Sequence, residues 1–73
     1  MGTPTTEVET ITVALIGKAV DDLARTRERR KLNRSDVVNR AVSLYEFVDQ
    51  ELASGAEVLL RRPDGSIYQV GLI

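Results

Sequence analysis

The chain contains no cysteine and no histidine among its 73 residues. It can therefore form no disulfide, and it lacks the nitrogen and sulfur ligands on which the common zinc sites depend. The most frequent general base and the thiolate nucleophile are missing as well, and no evident activating partner accompanies either Ser35 or Ser54. These absences predict a protein that is not an enzyme and that uses no metal and no cofactor.

Long apolar runs are also missing. No run approaches the ~20 residues that a membrane-spanning helix needs, and no signal peptide is recognisable. A single domain of this size rarely gains more than about 3–5 kcal/mol from its own core. Because disulfides and the usual metal sites are excluded, oligomerisation is the remaining source of stability. We therefore expect a cytoplasmic homo-oligomer without a membrane partner.

Positive charge is concentrated in one part of the chain. The net charge is −1, yet eight of the ten Lys and Arg residues lie between Lys18 and Arg40, where only four acids occur. That window carries +4, whereas residues 1–17 carry −2 and residues 41–73 carry −3. Contact with nucleic-acid phosphates requires such a local basic patch, which the whole-chain charge can conceal.

The apolar pattern predicts a short strand followed by two helices. Helical spacing favours a first helix over 18–30 and a second over 34–54. Asn33 is a good N-cap for the second helix, with Asp36 placed to return the hydrogen bond as in a capping box, and Gly55 suits its C′ position. Alternation over residues 10–15 predicts the strand, with Ile11, Val13 and Leu15 on one face and Thr10, Thr12 and Ala14 on the other.

A hairpin is predicted after Gly55, where the period changes. Residues 57–61 and 66–72 are strand-like, and Arg62-Pro63-Asp64-Gly65 between them favours a type I turn with a bulge at Gly65. Two isolated strands are only marginally stable in water. We therefore expect this hairpin to pack on the second helix of its own chain or of a dimer mate.

The order and spacing of these elements resemble the ribbon–helix–helix family of DNA-binding proteins, of the MetJ/Arc type. Val13-Ala14-Leu15 fits the end of the family strand, Asn33-Arg34-Ser35-Asp36 fits its S-R-S-E turn, and Val37-Val38 with Ala41 fit the start of its second helix. The spacing from Leu15 to Asp36 matches without a gap, and the resemblance covers residues 10–52.

Three positions depart from the family pattern. Lys31 stands where a glycine usually ends the first helix, and Arg27 lies where a small residue is expected. The outer strand face carries Thr10, Thr12 and Ala14 in place of the basic or amide side chains that the family often has.

The resemblance implies a mostly α-helical fold with short β-strands. It would be a ribbon–helix–helix homodimer with an intermolecular antiparallel ribbon and an appended C-terminal β-hairpin. Residues 1–9 would be a flexible arm, 10–55 the ribbon–helix–helix domain and 56–73 the hairpin. In this family the ribbon enters the major groove of DNA. The implied function is a nucleoid-associated, sequence-specific regulator of transcription that binds double-stranded DNA, most simply a bacterial, phage or plasmid repressor that can assemble further on DNA.

The resemblance also assigns roles to residues. Threonine hydroxyls can bond to base edges and small methyl groups can pack on thymine, whereas the free amides at a helix N-terminus bind phosphate. The base readers would be Thr10, Thr12 and Ala14; the phosphate contacts Arg30, Lys31, Asn33, Arg34 and Ser35; and the dimer contacts Ile11, Val13, Leu15, Val38, Val42 and Tyr45. The plainer interpretation is a polar sheet face, a helix cap and a solvated basic helix end.

An interaction protein is the alternative function. The antitoxin of a toxin–antitoxin pair, for example, would hold a protein partner through the hairpin, with DNA binding secondary or absent. The lack of basic side chains on the outer strand face keeps this alternative open.

Overall fold

The computed structural model describes residues 8–71 of the chain. It contains two helices followed by one two-stranded antiparallel sheet: α1 (Gly17–Arg30), α2 (Arg34–Ala53), β1 (Leu59–Arg61) and β2 (Ile67–Gln69). The mostly helical fold with a C-terminal hairpin agrees with the prediction. Most of the predicted flexible arm, residues 1–7, and the last two hairpin residues, 72–73, lie outside the described range.

Both ends of α2 are closed by local hydrogen bonds. At the start, the amide of Asp36 donates to Oδ1 of Asn33 at 2.8 Å, which confirms Asn33 as the N-cap. At the end, the amide of Gly55 donates to the Leu52 carbonyl and that of Ala56 to the Glu51 carbonyl, each at 3.0 Å. With Gly55 at φ 95° this is a complete Schellman motif, as its C′ position predicted.

Three residues, 31–33, connect α1 to α2, and the first of them, Lys31, is left-handed. The two helices contact each other, with an apolar groove between them. The groove is lined by Leu15, Ala19, Asp22, Leu23, Thr26, Val37, Val38 and Ala41. No side chain between residues 8 and 71 is buried from solvent, including those in this groove. The apolar groove between the helices is therefore not covered by any other part of residues 8–71.

The surface area of the chain leads to the same conclusion. The accessible surface is 7097 Å², whereas a folded monomer of this mass has about 4,500 Å². Such an excess is typical of a subunit separated from its assembly.

The hairpin has the predicted turn. β1 pairs with β2 in the register Leu60 opposite Tyr68. The Gly65 amide donates to the Arg62 carbonyl at 2.9 Å, and the Arg62 amide donates to the Ser66 carbonyl at 2.8 Å. Gly65 has φ 92°, so that it forms the expected bulge, where a side chain would be strained.

The hairpin does not pack on the helices of its own chain. Along residues 8–71, β1 and β2 contact each other and α1 contacts α2, but neither strand approaches either helix. Of the two expected packing partners, the second helix of the same chain is not contacted, and the helix of a dimer mate stays a prediction. The Schellman motif at Gly55 ends α2, and residues 56–58 connect it to a hairpin that makes no contact with α2.

Candidate nucleic-acid interface

The segment before α1 belongs to neither a helix nor a strand, and it has no strand partner within residues 8–71. Residues 8–16 form no sheet, and Ile16 at their end has φ −72° and ψ 161°. Ile11 and Val13 are 66% and 60% exposed, and the residues of the opposite face, Thr10, Thr12 and Ala14, are exposed too. The Ile16 carbonyl accepts the Val20 amide at 3.0 Å, and no other backbone hydrogen bond of this segment occurs within residues 8–71. Its remaining backbone groups are available for pairing with a second strand.

The turn that opens α2 leaves backbone donors free. Asn33 accepts the Asp36 amide through its side chain and the Val37 amide, at 3.2 Å, through its carbonyl. The amides of Arg34 and Ser35 make no hydrogen bond with any part of the described chain. Two unpaired amides at the positive end of a 20-residue helix are suitable donors for an anion.

The predicted capping box is only half formed. The Asp36 amide bonds to Asn33, but no return bond from the Asn33 amide to the Asp36 carboxylate occurs among the described hydrogen bonds. The aspartate side chain is one methylene shorter than the glutamate of the usual box, which explains the missing half.

The end of α1 adds basic side chains beside this turn. Lys31 has φ 56° and ψ 44°, a left-handed conformation at the place where the family has glycine. The Leu32 amide donates to the Arg27 carbonyl, and Nε of Arg27 donates to the Leu32 carbonyl, both at 3.3 Å. Arg27 thus closes the helix end, whereas Arg30 and Lys31 are exposed.

Ion pairing on α1 involves Asp22 and not Asp21, whose four-residue spacing from Arg25 favours a pair between those two. Asp22 accepts from Nζ of Lys18 and from Arg25, both at 2.7 Å, so Arg25 pairs three residues back along the helix. These hydrogen bonds, first that of Lys18 and then that of Arg25, hold the pKa of the Asp22 carboxyl below its usual value. The pairing neutralises the start of α1 and leaves its end basic.

Five cations between residues 29 and 40 make no ion pair within the described residues. Across residues 8–71 no ion pair involves Arg29, Arg30, Lys31, Arg34 or Arg40. The structure also places Arg40 in a groove with Arg30, Leu32 and Leu44 between the end of α1 and the middle of α2. Sequence reasoning did not select Arg40, although its position three residues after Val37 and four before Leu44 puts it on the helix-packing side of α2.

The predicted dimer contacts on α2 form one exposed apolar strip. Val38, Val42 and Tyr45 follow one another at spacings of four and three residues, so they lie along one side of the helix. Val42 and Tyr45 are 61% and 56% exposed. Leu15, from the segment before α1, reaches the neighbouring groove beside Val38.

The two parts of the candidate interface remain separate within one chain. In the described range no hydrogen bond or ion pair connects residues 8–16 to the turn at Asn33. Leu15, near the end of the segment, lines the same groove as Val37 and Val38 in the first turns of α2.

Comparisons of this chain with protein-family models, with curated proteins and with solved structures found no match. None of the helices within residues 8–71 is long and apolar enough to cross a membrane.

Proposed function

We propose that the chain is a ribbon–helix–helix regulator of transcription that binds double-stranded DNA as a homodimer. The observation that carries this proposal is the segment 8–16, in which apolar and polar residues alternate over 10–15 and the side chains of both sets are exposed. A second copy can supply its partner strand, because the antiparallel pairing of two identical segments satisfies both of them by two-fold symmetry.

Symmetry gives the proposed ribbon a defined orientation. Ile11, Val13 and Leu15 face the helices, with Leu15 already in the groove between them. Thr10, Thr12 and Ala14 then face outward from both chains. A two-stranded ribbon fits the major groove, where hydroxyl and methyl groups can distinguish base pairs.

The turn at α2 supplies the proposed phosphate contacts. The free amides of Arg34 and Ser35 and the N-terminal end of the helix dipole attract an anion. Arg30, Lys31 and Arg34 add charge that no acid in residues 8–71 neutralises by ion pairing. One such site on each side of the ribbon would position the dimer on the DNA backbone.

The proposal is tested by a mobility-shift assay with the DNA upstream of the protein's own coding sequence, because small regulators often control themselves. We expect a retarded complex that unrelated DNA displaces poorly and that weakens steeply as salt is raised. The control is a shuffled probe of the same length and composition. Absence of any complex at low salt and micromolar protein, on the upstream probe and the shuffled probe alike, would contradict DNA binding.

A protein-binding function, such as that of an antitoxin, is the second candidate. Two observations favour it: the outward residues of segment 8–16 carry no charge, and the apolar hairpin is uncovered within its own chain. Co-purification of one stoichiometric protein through the hairpin, together with weak DNA binding, would support it over the regulator.

A further inference from the structure

The hairpin has one strongly apolar face. The register places Leu60 opposite Tyr68, and Val70 donates to the Val58 carbonyl at 2.8 Å, so these four side chains lie on the same side of the sheet. Leu60 is 48% and Tyr68 43% exposed. Because two strands alone are marginal in water and no helix of the same chain covers them, this face needs a partner.

A positive charge is held at the edge of that face. The Arg62 guanidinium carbon lies 4.7 Å from the centre of the Tyr68 ring, within the range of a cation–π contact. No acid of the described chain forms an ion pair with Arg62. The hairpin therefore offers a flat apolar patch with a pre-positioned guanidinium beside it.

α2 has a matching patch that the proposed ribbon dimer leaves unused. Phe47 is 63% exposed, and it lies about 160° around the helix from Tyr45, since successive residues are about 100° apart. Phe47 cannot share the strip of Val38, Val42 and Tyr45. It lies instead beside Leu44, three residues earlier, which is 63% exposed as well.

The charge around Phe47 is opposite to that of the hairpin edge. Glu51 lies one turn after Phe47 on the same side of α2. Glu46 directly precedes it, and no Lys or Arg occurs between residues 41 and 60. The C-terminal end of the helix dipole adds further negative potential, because no basic residue occupies the last turn.

We propose that the Val58–Leu60–Tyr68–Val70 face of the hairpin docks on the Leu44–Phe47 patch of α2 in a second copy of this chain, with Arg62 directed at Glu51. The inference rests on the homodimer of the proposed function and does not depend on DNA. Both surfaces are present on each chain and apart within it, so a two-fold exchange of hairpins covers both pairs at once.

The amount of exposed surface suits this exchange. The accessible surface of 7097 Å² is roughly 2,600 Å² above that of a folded monomer of the same mass. Two such chains together have an excess of roughly 5,200 Å², which lies at the upper end of the about 2,000–5,000 Å² or more that obligate homodimers bury in total. A ribbon, the helix strip and two exchanged hairpins together can occupy that range.

Cysteine cross-linking tests the docking directly, because the natural chain has no cysteine. A tagged Phe47→Cys chain and an untagged Leu60→Cys chain are unfolded, mixed, refolded and oxidised without DNA. We expect a mixed disulfide between the two chains. The matched control is Leu59→Cys, the adjacent residue on the opposite face of the hairpin, which should cross-link at least about tenfold more slowly since strand neighbours point to opposite sides.

The double variant Phe47→Cys/Leu60→Cys distinguishes a hairpin docked on α2 of the second copy from a hairpin docked on α2 of its own chain. Exchange predicts covalent dimers, whereas an intrachain disulfide in a covalent monomer would overturn the proposal. Equal rates of disulfide formation with the Phe47→Cys chain for Leu60→Cys and Leu59→Cys would also overturn the proposal. If Leu60→Cys disturbs folding, Tyr68→Cys on the same face replaces it.

Hydrogen exchange supplies a second readout without cysteines. The Arg62 and Val70 amides, which close the hairpin, should exchange at least about tenfold faster in Phe47→Ser, the effect of uncovering one large apolar side chain. Phe47→Leu should restore most of the protection. Unprotected hairpin amides in the natural protein would overturn self-docking and leave this face to a foreign protein. A negative mobility shift with intact cross-linking would instead reject only the DNA-binding function.

Discussion

Lys31 is the residue whose conformation is least suited to its side chain. Its φ of 56° and ψ of 44° are left-handed values that favour glycine. The family pattern has glycine at this place, and the backbone here adopts the glycine geometry despite the lysine. The hydrogen bond from Arg27 to the Leu32 carbonyl stabilises the same turn. Arg27, which departs from the family pattern as well, thereby compensates in part for Lys31.

Replacing Lys31 with glycine should stabilise the folded protein. We expect Lys31→Gly to raise the free energy of unfolding by about 0.5–1 kcal/mol. The relief of strain at a left-handed residue stabilises the folded state, and it outweighs the entropy that glycine adds to the unfolded chain. Urea unfolding at fixed protein concentration measures the change. Lys31→Ala is the control, because it removes the charge and keeps the strain. A stability of Lys31→Gly at or below that of Lys31→Ala would show that this turn is unstrained.

The helices and the hairpin turn were predictable because local interactions define their ends. Asn33 caps α2 through a bond three residues away, and Gly55 and Gly65 both adopt the positive φ that their positions required. The predicted bounds of α1 and α2 are within one residue of the observed ones. The strands are shorter than predicted, although the hydrogen bond from the Val70 amide to the Val58 carbonyl continues the pairing beyond Leu59 and Gln69.

The proposed roles of the two DNA-facing elements can be separated by mutation. Arg34→Ala at the start of α2 should weaken binding to specific and unrelated DNA alike and reduce the salt dependence by about one counterion, as expected for a phosphate contact. Thr12→Ala on the ribbon should reduce discrimination between the two DNAs with little change in salt dependence. Both are measured by titration at several salt concentrations.

Two outcomes would contradict this division. If Thr12→Ala leaves the ratio of specific to unrelated affinity unchanged while Arg34→Ala weakens both, then the ribbon does not read bases. If Arg34→Ala changes neither affinity nor salt dependence, the free amides of the turn are not a phosphate site. Ser43→Ala, on a side of α2 away from the turn, is a control that should alter neither property.

The whole molecule lacks a core of its own. No side chain in residues 8–71 is buried, although 42% of the full sequence is hydrophobic. We infer that the folded state obtains most of its apolar burial from contact between chains. Folding and association should be one process, since the subunit has little to stabilise it alone.

We accordingly expect an obligate dimer. Sedimentation equilibrium at micromolar concentration should give twice the chain mass of 8.1 kDa, and the thermal midpoint should rise with protein concentration. Val42→Glu, in the exposed strip of α2, should shift the equilibrium towards unfolded monomer because it places charge in the interface. A natural chain that sediments as a folded monomer, with a melting temperature independent of concentration, would refute the assembly.

The sequence by itself determined the two helices and the hairpin turn of this protein, because caps, turns and apolar periodicity act over a few residues. The strand predicted over 10–15 stays a prediction, since its partner would lie in another chain. It was sufficient to predict Asn33 as the cap, Gly65 as the bulge and the basic character of the turn. Only the tertiary structure decided that Arg40 joins Arg30 in a groove and that the hairpin stands clear of α1 and α2. These outcomes depend on the directions in which helices and linkers carry side chains through space, and no local pattern specifies those directions.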